Sequence, residues 1–197
     1  MRQLGRVLLF VLASASPVLA QGHTWGVKGG VNLATLNVDD ATADFGFRIG
    51  VVAGGYYTLP IGSRLELQPE GLFSQQGAKP KADDIDATVA LDMLTVPILV
   101  KFRLAPAGKG LAVYGGPSIG LRLRARGIST FGNSKVDIDI SDEVKSTDFG
   151  IAAGAMYERG RWTLDGRYTF GLSRLNEDAA EAESKSRVIS ILGGLRF

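Results

Sequence analysis

Apolar and polar residues alternate along eight successive stretches of this chain, the period-two pattern of a β-strand with two unlike faces. In the fourth stretch, Leu94, Val96 and Ile98 share one face, whereas Thr95 and Lys101 lie on the other. The few apolar residues that break the alternation include Val52, Leu72, Leu99 and Leu192. The predicted strands are Thr24–Ala34, Phe45–Thr58, Arg64–Gln76, Thr88–Leu104, Leu111–Arg124, Thr147–Glu158, Arg161–Leu172 and Lys185–Phe197.

The links between these strands alternate between short and long. The short links are Leu59–Ser63, Ala105–Gly110 and Arg159–Gly160, and the long, polar links are Thr35–Asp44, Gly77–Ala87, Ala125–Ser146 and Ser173–Ser184. Short periplasmic turns and longer extracellular loops are typical of a barrel that crosses the bacterial outer membrane. The sequence therefore predicts an all-β fold, a closed eight-stranded antiparallel transmembrane β-barrel of the small OmpA and OmpX size.

The alternation alone leaves open which face points inward, because a soluble lipocalin-like barrel would bury the apolar face. The alternating link lengths, for which a soluble barrel gives no reason, favour an apolar face turned to lipid. So do the glycines of the polar face, since the interior of a narrow barrel is crowded: Gly26, Gly30, Gly46, Gly50, Gly54, Gly116, Gly120, Gly150, Gly154, Gly171 and Gly194. Aromatic residues of the apolar face gather at the strand ends like the girdles of a membrane barrel, namely Trp25, Tyr57, Phe102, Tyr157, Trp162 and Phe197 at the short-turn rim and Phe45, Phe73, Phe149 and Phe170 near the other.

The polar face then supplies the interior of the barrel. Its charged residues are Arg48, Arg64, Glu66, Glu70, Lys101, Arg103, Arg122, Arg124, Asp148, Glu158, Asp165, Arg167 and Arg196. Because buried charges need partners and eight strands leave room for little but side chains, we expect a salt-bridged plug and not a conducting channel. Pro97 and Pro117 lie inside predicted strands of a barrel that has no free edge, so irregularities of the strand ladder are predicted at both, with bulges as the physical way to accommodate them.

The first residues have the organisation of a secretory signal peptide. Arg2 and Arg6 precede the apolar run Val7–Ala15, which is shorter than the about 20 residues of a membrane-spanning helix. A small-residue cleavage site follows at Val18–Ala20. We therefore expect residues 1–20 to be a signal peptide and residues 21–197 to be the outer-membrane barrel domain.

Little in the composition points to catalysis. The absence of cysteine excludes disulfides and thiolate metal sites. The formal charge of +2 falls to about zero without Arg2 and Arg6, which argues against a nucleic-acid partner. The sole histidine, His23, lies on the periplasmic side, whereas outer-membrane hydrolases resemble one another in placing a histidine at the outer rim. We predict no enzyme activity and no catalytic, cofactor-binding or metal-binding residue.

The long links carry charges with two interpretations each. The acidic residues could bind divalent cations or bridge to lipopolysaccharide through a cation, but the simpler interpretation is that they are solvated. They are Asp39, Asp40, Asp44, Asp83, Asp84, Asp86, Asp137, Asp139, Asp142, Glu143, Glu177, Asp178, Glu181 and Glu183. The rim cations, which could contact lipid phosphates or pair with those acids, are Arg122, Arg124, Arg126, Lys79 and Arg174. The run Lys135–Ile140 continues the alternation beyond the membrane, either as a protruding hairpin with an edge for strand addition or as a mobile loop.

Several motifs carry a family resemblance. They are Gly26–Leu33, Leu67–Gly77, Leu94–Pro97, Tyr114–Pro117, Asp148–Gly150, Arg167–Leu172 and the terminal Phe197. With these motifs the chain resembles the PorT-like outer-membrane β-barrel family, although Thr95 stands where that family more often has glutamate and Gly71 where it has a larger apolar residue. The resemblance implies an integral outer-membrane protein of mostly uncharacterised role, with one namesake linked to protein secretion. The terminal Phe197 also resembles the signal read by the barrel-insertion machinery.

Together these features predict a monomeric integral protein of the bacterial outer membrane with a structural or surface-interaction role. The expected partners are outer-membrane lipids, lipopolysaccharide and, during biogenesis, the barrel-insertion machinery. Two alternatives remain open at this point: a small porin, transport or secretion-associated outer-membrane protein, and a soluble secreted barrel that holds an apolar ligand.

Overall fold

The computed structural model describes residues 22–38, 45–82, 85–105, 109–131, 134–141, 145–173 and 184–197. These residues form nine β-strands: β1 (Thr24–Val38), β2 (Phe45–Pro60), β3 (Leu65–Ala82), β4 (Ile85–Arg103), β5 (Gly110–Phe131), β6 (Ser134–Asp139), β7 (Thr147–Arg159), β8 (Trp162–Gly171) and β9 (Ser184–Arg196). Within the described residues no helix is long and apolar enough to cross a membrane. The predicted signal peptide, residues 1–20, lies outside the described part of the chain.

Eight of the strands close into an antiparallel barrel in the order β1-β2-β3-β4-β5-β7-β8-β9, with β9 pairing again with β1. The predicted closed barrel is therefore confirmed. The remaining strand, β6, lies outside this ring. It pairs with the distal part of β5 from Arg126↔Asp139 to Phe131↔Ser134, beyond the part of β5 that pairs with β7. The run Lys135–Ile140 is thus mostly one arm of a β5–β6 hairpin that extends the barrel wall on the side of the long loops.

The short turns lie where the sequence predicts them, between β2 and β3, between β4 and β5 and between β7 and β8. On the opposite side β3 ends at Ala82 and β4 begins at Ile85, so most of the predicted loop Gly77–Ala87 is strand. Residues 39–44 and 174–183 of two other predicted loops lie outside the described part of the chain. The start of β1 and the end of β9 lie together at the turn side, where the rings of Trp25 and Phe197 stack with centroids 4.6 Å apart.

Apolar side chains cover the outer surface, as the sequence predicts. Ile98 and Val100 expose 43% and 46% of their surface, whereas Leu99 and Lys101 expose 0% and 1%. The same alternation runs along β7 and β8. Of the predicted girdle residues, Tyr57 and Phe170 are half-buried, the side chain of Phe45 lies outside the described part, and the exposed ones are Trp25, Phe73, Phe102, Phe149, Tyr157, Trp162 and Phe197. A barrel with this outer surface is suited to lipid and not to water.

The two prolines interrupt the hydrogen-bonded ladder without bulging it. Two successive pairs are missing at each proline. Between β3 and β4 they would join Glu70 to Pro97 and Gly71 to Val96, and between β4 and β5 they would join Ile98 to Pro117 and Leu99 to Gly116, yet the register is the same on both sides of each gap. The predicted irregularities of the ladder are therefore present at both prolines, but they are gaps and not bulges, because a missing N–H donor leaves pairs unmade without inserting a residue. The register shifts lie elsewhere, between Phe47 and Val52 of β2 and beside Asp92 of β4.

The residues that broke the sequence alternation explain how the interior is packed. Val52, Leu72 and Leu192 form one buried apolar cluster, and Leu99 packs with Tyr114, Ala152 and Met156 in another. A third cluster consists of Leu91, Met93 and Ala125, with Val89 and Ile140 against it. The interior therefore combines polar networks with small apolar contacts.

The inward glycines serve two purposes. At Gly26 an added Cβ would collide with the Tyr56 ring, so this glycine makes room for a side chain as the sequence suggested. At Gly30 it would collide with the carbonyl oxygen of Ile191 on the neighbouring strand, and the same kind of backbone collision would occur at Gly50, Gly54 and Gly116. Close approach of strands in a narrow, strongly coiled barrel therefore requires these glycines.

Candidate functional site in the barrel interior

A group of four buried charges lies across the middle of the lumen. We call Lys28, Glu70, Asp165 and Arg167 the core network. The Nζ atom of Lys28 lies 2.8 Å from Glu70 Oε1 and 2.9 Å from Asp165 Oδ2. Arg167 donates to both oxygens of Glu70 at 2.8 and 3.0 Å and to Asp165 Oδ2 at 3.0 Å. Two cations thus face two carboxylates, and the core network carries no net charge.

The strands bring these four residues together because each occupies an inward position. Lys28 of β1 reaches Glu70 of β3 although β2 lies between their strands. The residue of β2 opposite Lys28 is Gly54, which has no side chain to block the lysine. The Lys28 ammonium also lies 4.8 Å from the centre of the Tyr56 ring, a cation–π contact. The absence of a side chain at Gly54 therefore allows an ion pair between two strands that are not neighbours.

Neutral side chains complete the hydrogen bonding of the core network. The Tyr114 hydroxyl bonds to Asp165, and Arg167 Nε donates to the Tyr114 oxygen at 3.2 Å. Gln68 Nε2 donates to Glu70 Oε1 at 2.7 Å. Because each buried carboxylate has several donors, the network meets the condition under which buried charge is tolerated.

A second group of charges lies on the turn side, and we call it the turn-side network. Lys101 Nζ lies 2.7 Å from both Glu66 Oε2 and Glu158 Oε1. Arg103 pairs with Glu66 and, at 3.4 Å, with Glu158. Arg196 lies 3.4 Å from Glu158 and also donates to the carbonyl of Gly160 at 3.0 Å. Three cations and two carboxylates give this network a net charge of +1.

Next to the core network on its loop side most interior side chains are uncharged, and charged ones such as Arg48, Asp92 and Arg126 lie farther toward the loops. Asn32 Nδ2 donates to Ser74 Oγ at 2.9 Å, and Ser190 Oγ donates to Asn32 Oδ1 at 2.7 Å. Two cavities of about 30 and 20 Å³ lie at this level, room for about one or two water molecules each. Asp148 borders the second cavity; one carboxylate oxygen accepts from Ser186 at 2.9 Å, and the other is buried without a protein partner.

The structure confirms most of the predicted interior charges and corrects two of them. Arg64 is exposed because it precedes the first residue of β3. Arg124 is exposed because the register shift beside Asp92 places Leu123 as an extra residue in β5, which turns the following side chain outward. Lys28 was missing from the predicted set, although it lies on the polar face of its strand. The sequence did offer one sign of its role, because Lys28 is a charged residue on the polar face of a strand that is otherwise rich in glycine.

Thr95 and Gly71, the two residues that depart from the motifs of the PorT-like family, can both be located in the structure. Thr95 points to no charged partner in the described part of the chain, and its hydroxyl donates to the Leu72 carbonyl at 3.3 Å. Gly71 is exposed, and nothing lies within 4 Å of where its Cβ would be. A glutamate at Thr95 would add a charge near the apolar cluster of Leu72, so threonine suits this interior.

The described residues contain no cluster of three or more side chains able to ligate a metal. His23 is exposed on the turn side, and its ring stacks on Tyr57 with centroids 5.6 Å apart. Many of the acidic loop residues, including Asp39, Asp83 and Glu177, lie outside the described part of the chain. Within the β5–β6 hairpin, hydrogen bonding from Ser141 lowers the pKa of Asp139 below its ordinary value.

Residues 19–177 match the family profile described as outer membrane protein beta-barrel domain. The chain belongs to this family. No curated protein matches its sequence. Among solved structures, this outer-membrane barrel is similar to Ail, the attachment invasion locus protein of Yersinia pestis, with a TM-score of 0.56, 14% identity, and coverage of 90% of this chain and 100% of that one. It is also similar to Neisserial surface protein A, with a TM-score of 0.53, 15% identity, and coverage of 90% and 100%.

The exposed apolar side chains on the outside of the barrel wall form what we call the apolar belt. The family and the apolar belt both indicate where this outer-membrane barrel is located. It is an integral protein of the bacterial outer membrane. At these identities the likeness to Ail and to Neisserial surface protein A concerns the fold. The role of the protein has to be argued from its own side chains.

Proposed function

We propose that this protein is a non-conducting, non-catalytic barrel that anchors a surface element in the outer membrane. The observation that carries the proposal is the core network, which joins β1, β3 and β8 across the lumen. Glu70 and Arg167 expose only 3% and 5% of their surface, and the cavity that Arg167 borders is only about 30 Å³, which supports a lumen without a continuous water-filled passage. An eight-stranded barrel is narrow enough for such side chains to fill.

A small porin is the competing function, and conductance distinguishes the two. The folded protein is inserted into a planar bilayer, and current is recorded in concentrated potassium chloride. We expect no discrete current steps above those of protein-free detergent. Reproducible steps that disappear when the same sample is boiled before insertion would show an open lumen and contradict the proposal.

The surface element is the β5–β6 hairpin. Val136 and Ile138 of β6 expose 43% and 58% of their surface, although they project beyond the wall of the closed ring. Arg126 lies 3.6 Å from both Asp92 and Asp137, which ties the base of the hairpin to β4. Since no described strand pairs with the second edge of β6, we propose that it offers hydrogen-bonding groups to an extended peptide of a partner.

The finer family assignment also belongs to this proposal. We infer a PorT-like protein from the motifs, several of which coincide with the interior: Gly26–Leu33 supplies Lys28 and Asn32, and Leu67–Gly77 supplies Glu70. A secretion-associated role is the corresponding alternative.

The sole histidine, His23, lies on the turn side, at the end of the barrel away from the loops, which supports a protein without hydrolase activity.

The proposed partners follow from the outer surface. Outer-membrane lipids contact the apolar belt, and lipopolysaccharide contacts exposed rim cations such as Arg124. The signal peptide, residues 1–20, directs export, and the exposed terminal Phe197 is available to the barrel-insertion machinery. The proposed state is a monomer, because the closed ring leaves no barrel strand with an unpaired edge among the described residues.

A further inference from the structure

A cleft of about 730 Å³ lies on the outer surface at the turn-side ends of β7 and β8. Its apolar wall is formed by Tyr157, Trp162 and Leu164, which expose 49%, 69% and 58% of their surface. At its rim are two exposed cations, Lys109 from the turn before β5 and Arg159 from the end of β7. The cleft therefore continues the apolar belt at one end and is positively charged at the other.

Among the described residues, no carboxylate lines this cleft. The nearest acidic residue along the chain, Glu158, points into the lumen, where it lies 2.7 Å from Lys101. The described structure gives neither Lys109 nor Arg159 an ion-pair partner, unlike Arg196 of the turn-side network. Two cations without a counter-charge, placed beside exposed aromatic rings and an exposed leucine, are complementary to an anionic group that carries an apolar chain.

We propose that this cleft binds an anionic glycerophospholipid of the periplasmic leaflet. Lys109 and Arg159 contact its phosphate, Trp162 lies at the level of the ester groups, and an acyl chain follows Tyr157 and Leu164 toward the membrane centre. Aromatic rings are favoured at this interfacial depth, and basic side chains near a membrane surface favour anionic lipid. The inference rests on the proposed contact between the apolar belt and lipid, and adds a headgroup preference at one place.

The chain itself offers the probe, because it contains only two tryptophans, Trp25 and Trp162. In the Trp25→Phe variant the fluorescence reports on Trp162 in the cleft. The folded variant is placed in phosphatidylcholine vesicles that contain a small fraction of lipid brominated on its acyl chains, either phosphatidylglycerol or phosphatidylcholine. Quenching by each brominated lipid gives its relative affinity for the site. We expect phosphatidylglycerol to be preferred on the order of tenfold, the size of effect given by two surface cations.

The matched variants separate the cleft from the rest of the rim. Lys109→Gln with Arg159→Gln should abolish most of the preference, whereas Arg64→Gln, which removes an exposed cation of another turn, should leave it unchanged. In the Trp162→Phe variant the signal comes from Trp25, and the two glutamine substitutions should not alter it. A gel mobility shift on boiling verifies that each variant is folded.

Two results would overturn the inference in distinguishable ways. If both brominated lipids quench Trp162 equally, or if the double substitution leaves the preference intact, the belt meets lipid but the cleft selects no headgroup. If neither brominated lipid quenches Trp162, the outer surface does not face lipid at all, and the proposed function fails with it.

Discussion

Lys28 and Glu70 form an ion pair of 2.8 Å across the lumen although the whole of β2 lies between their strands. Both side chains are buried, at 4% and 3% exposure. The pair therefore joins strands that share no backbone hydrogen bonds. The interior side chains therefore contribute to holding the closed barrel together.

Replacing Lys28 by methionine should strongly destabilise the barrel. The substitution keeps most of the side-chain volume but leaves Glu70 and Asp165 with Arg167 as their remaining cation. Removing one partner of a buried ion pair costs about 3–5 kcal/mol. Urea unfolding in lipid vesicles, followed by the mobility shift on gels, should show a lower midpoint for Lys28→Met.

Arg64→Met is the control for this substitution, because Arg64 is an exposed cation that has no described ion pair. Glu70→Gln added to Lys28→Met should recover part of the lost stability by removing an unpaired charge. Equal unfolding midpoints for Lys28→Met and Arg64→Met would show that the core network does not hold the barrel.

The strands were predictable from the sequence, whereas the contacts inside the barrel were not. Period-two alternation identifies inward positions, and it correctly placed Glu70 and Arg167 inside. It cannot give the register between strands, so it could not show that Lys28 faces Gly54 and passes over it to β3. Nor could it show the shift in β5 that turns Arg124 outward.

The prolines illustrate a related limit. A missing N–H donor is visible in the sequence, but the response of the ladder depends on the neighbouring strands. At Pro97 and Pro117 the barrel leaves pairs unmade and keeps its register. The shift in β2 occurs instead opposite Gly77, whose φ of 135° suits glycine.

Removing two of the four charges of the core network without leaving a net charge should open the lumen. Glu70→Ala combined with Arg167→Ala removes one carboxylate and one guanidinium whose atoms lie 2.8 Å apart. We expect the double variant to show current steps in planar bilayers where the parent protein shows none. The neutral pair Lys109→Ala with Asp137→Ala, both outside the lumen, should stay silent. A silent Glu70→Ala, Arg167→Ala variant that is folded would contradict this expectation and show that the remaining side chains, among them the turn-side network and the apolar clusters, suffice to close the lumen.

Gly30 and Gly193 should respond differently to the same added methyl group. A Cβ at Gly30 would collide with the Ile191 carbonyl, whereas nothing lies within 4 Å of a Cβ at Gly193. Gly30→Ala should lower stability by about 1–3 kcal/mol, the usual cost of overpacking. Gly193→Ala should be nearly neutral in the same urea titration. Tolerance of alanine at Gly30 would argue against the close approach of β1 and β9.

Deleting the β5–β6 hairpin should leave the barrel intact, because β6 lies outside the closed ring. Arg126 and Asp139 are Cα partners, so an Asn-Gly turn can replace residues 127–138 and join them directly. We expect the variant still to fold but to have a lower unfolding midpoint, because residues 127–130 of β5 also pair with residues 86–89 of β4. Any binding of a partner peptide should be lost. A variant that no longer shifts on boiling would show that the hairpin is needed to fold the barrel.

The most direct test is the environment of an outward side chain at the middle of the barrel wall. Because the chain lacks cysteine, a nitroxide can be attached at Ala153→Cys, on the exposed face of β7, and at Ile138→Cys, on β6 beyond the ring. In lipid vesicles the label at Ala153 should collide frequently with oxygen and rarely with a water-soluble nickel chelate, and the label at Ile138 should do the reverse. Equal access of the nickel chelate to both positions would contradict a barrel whose apolar face is turned to lipid.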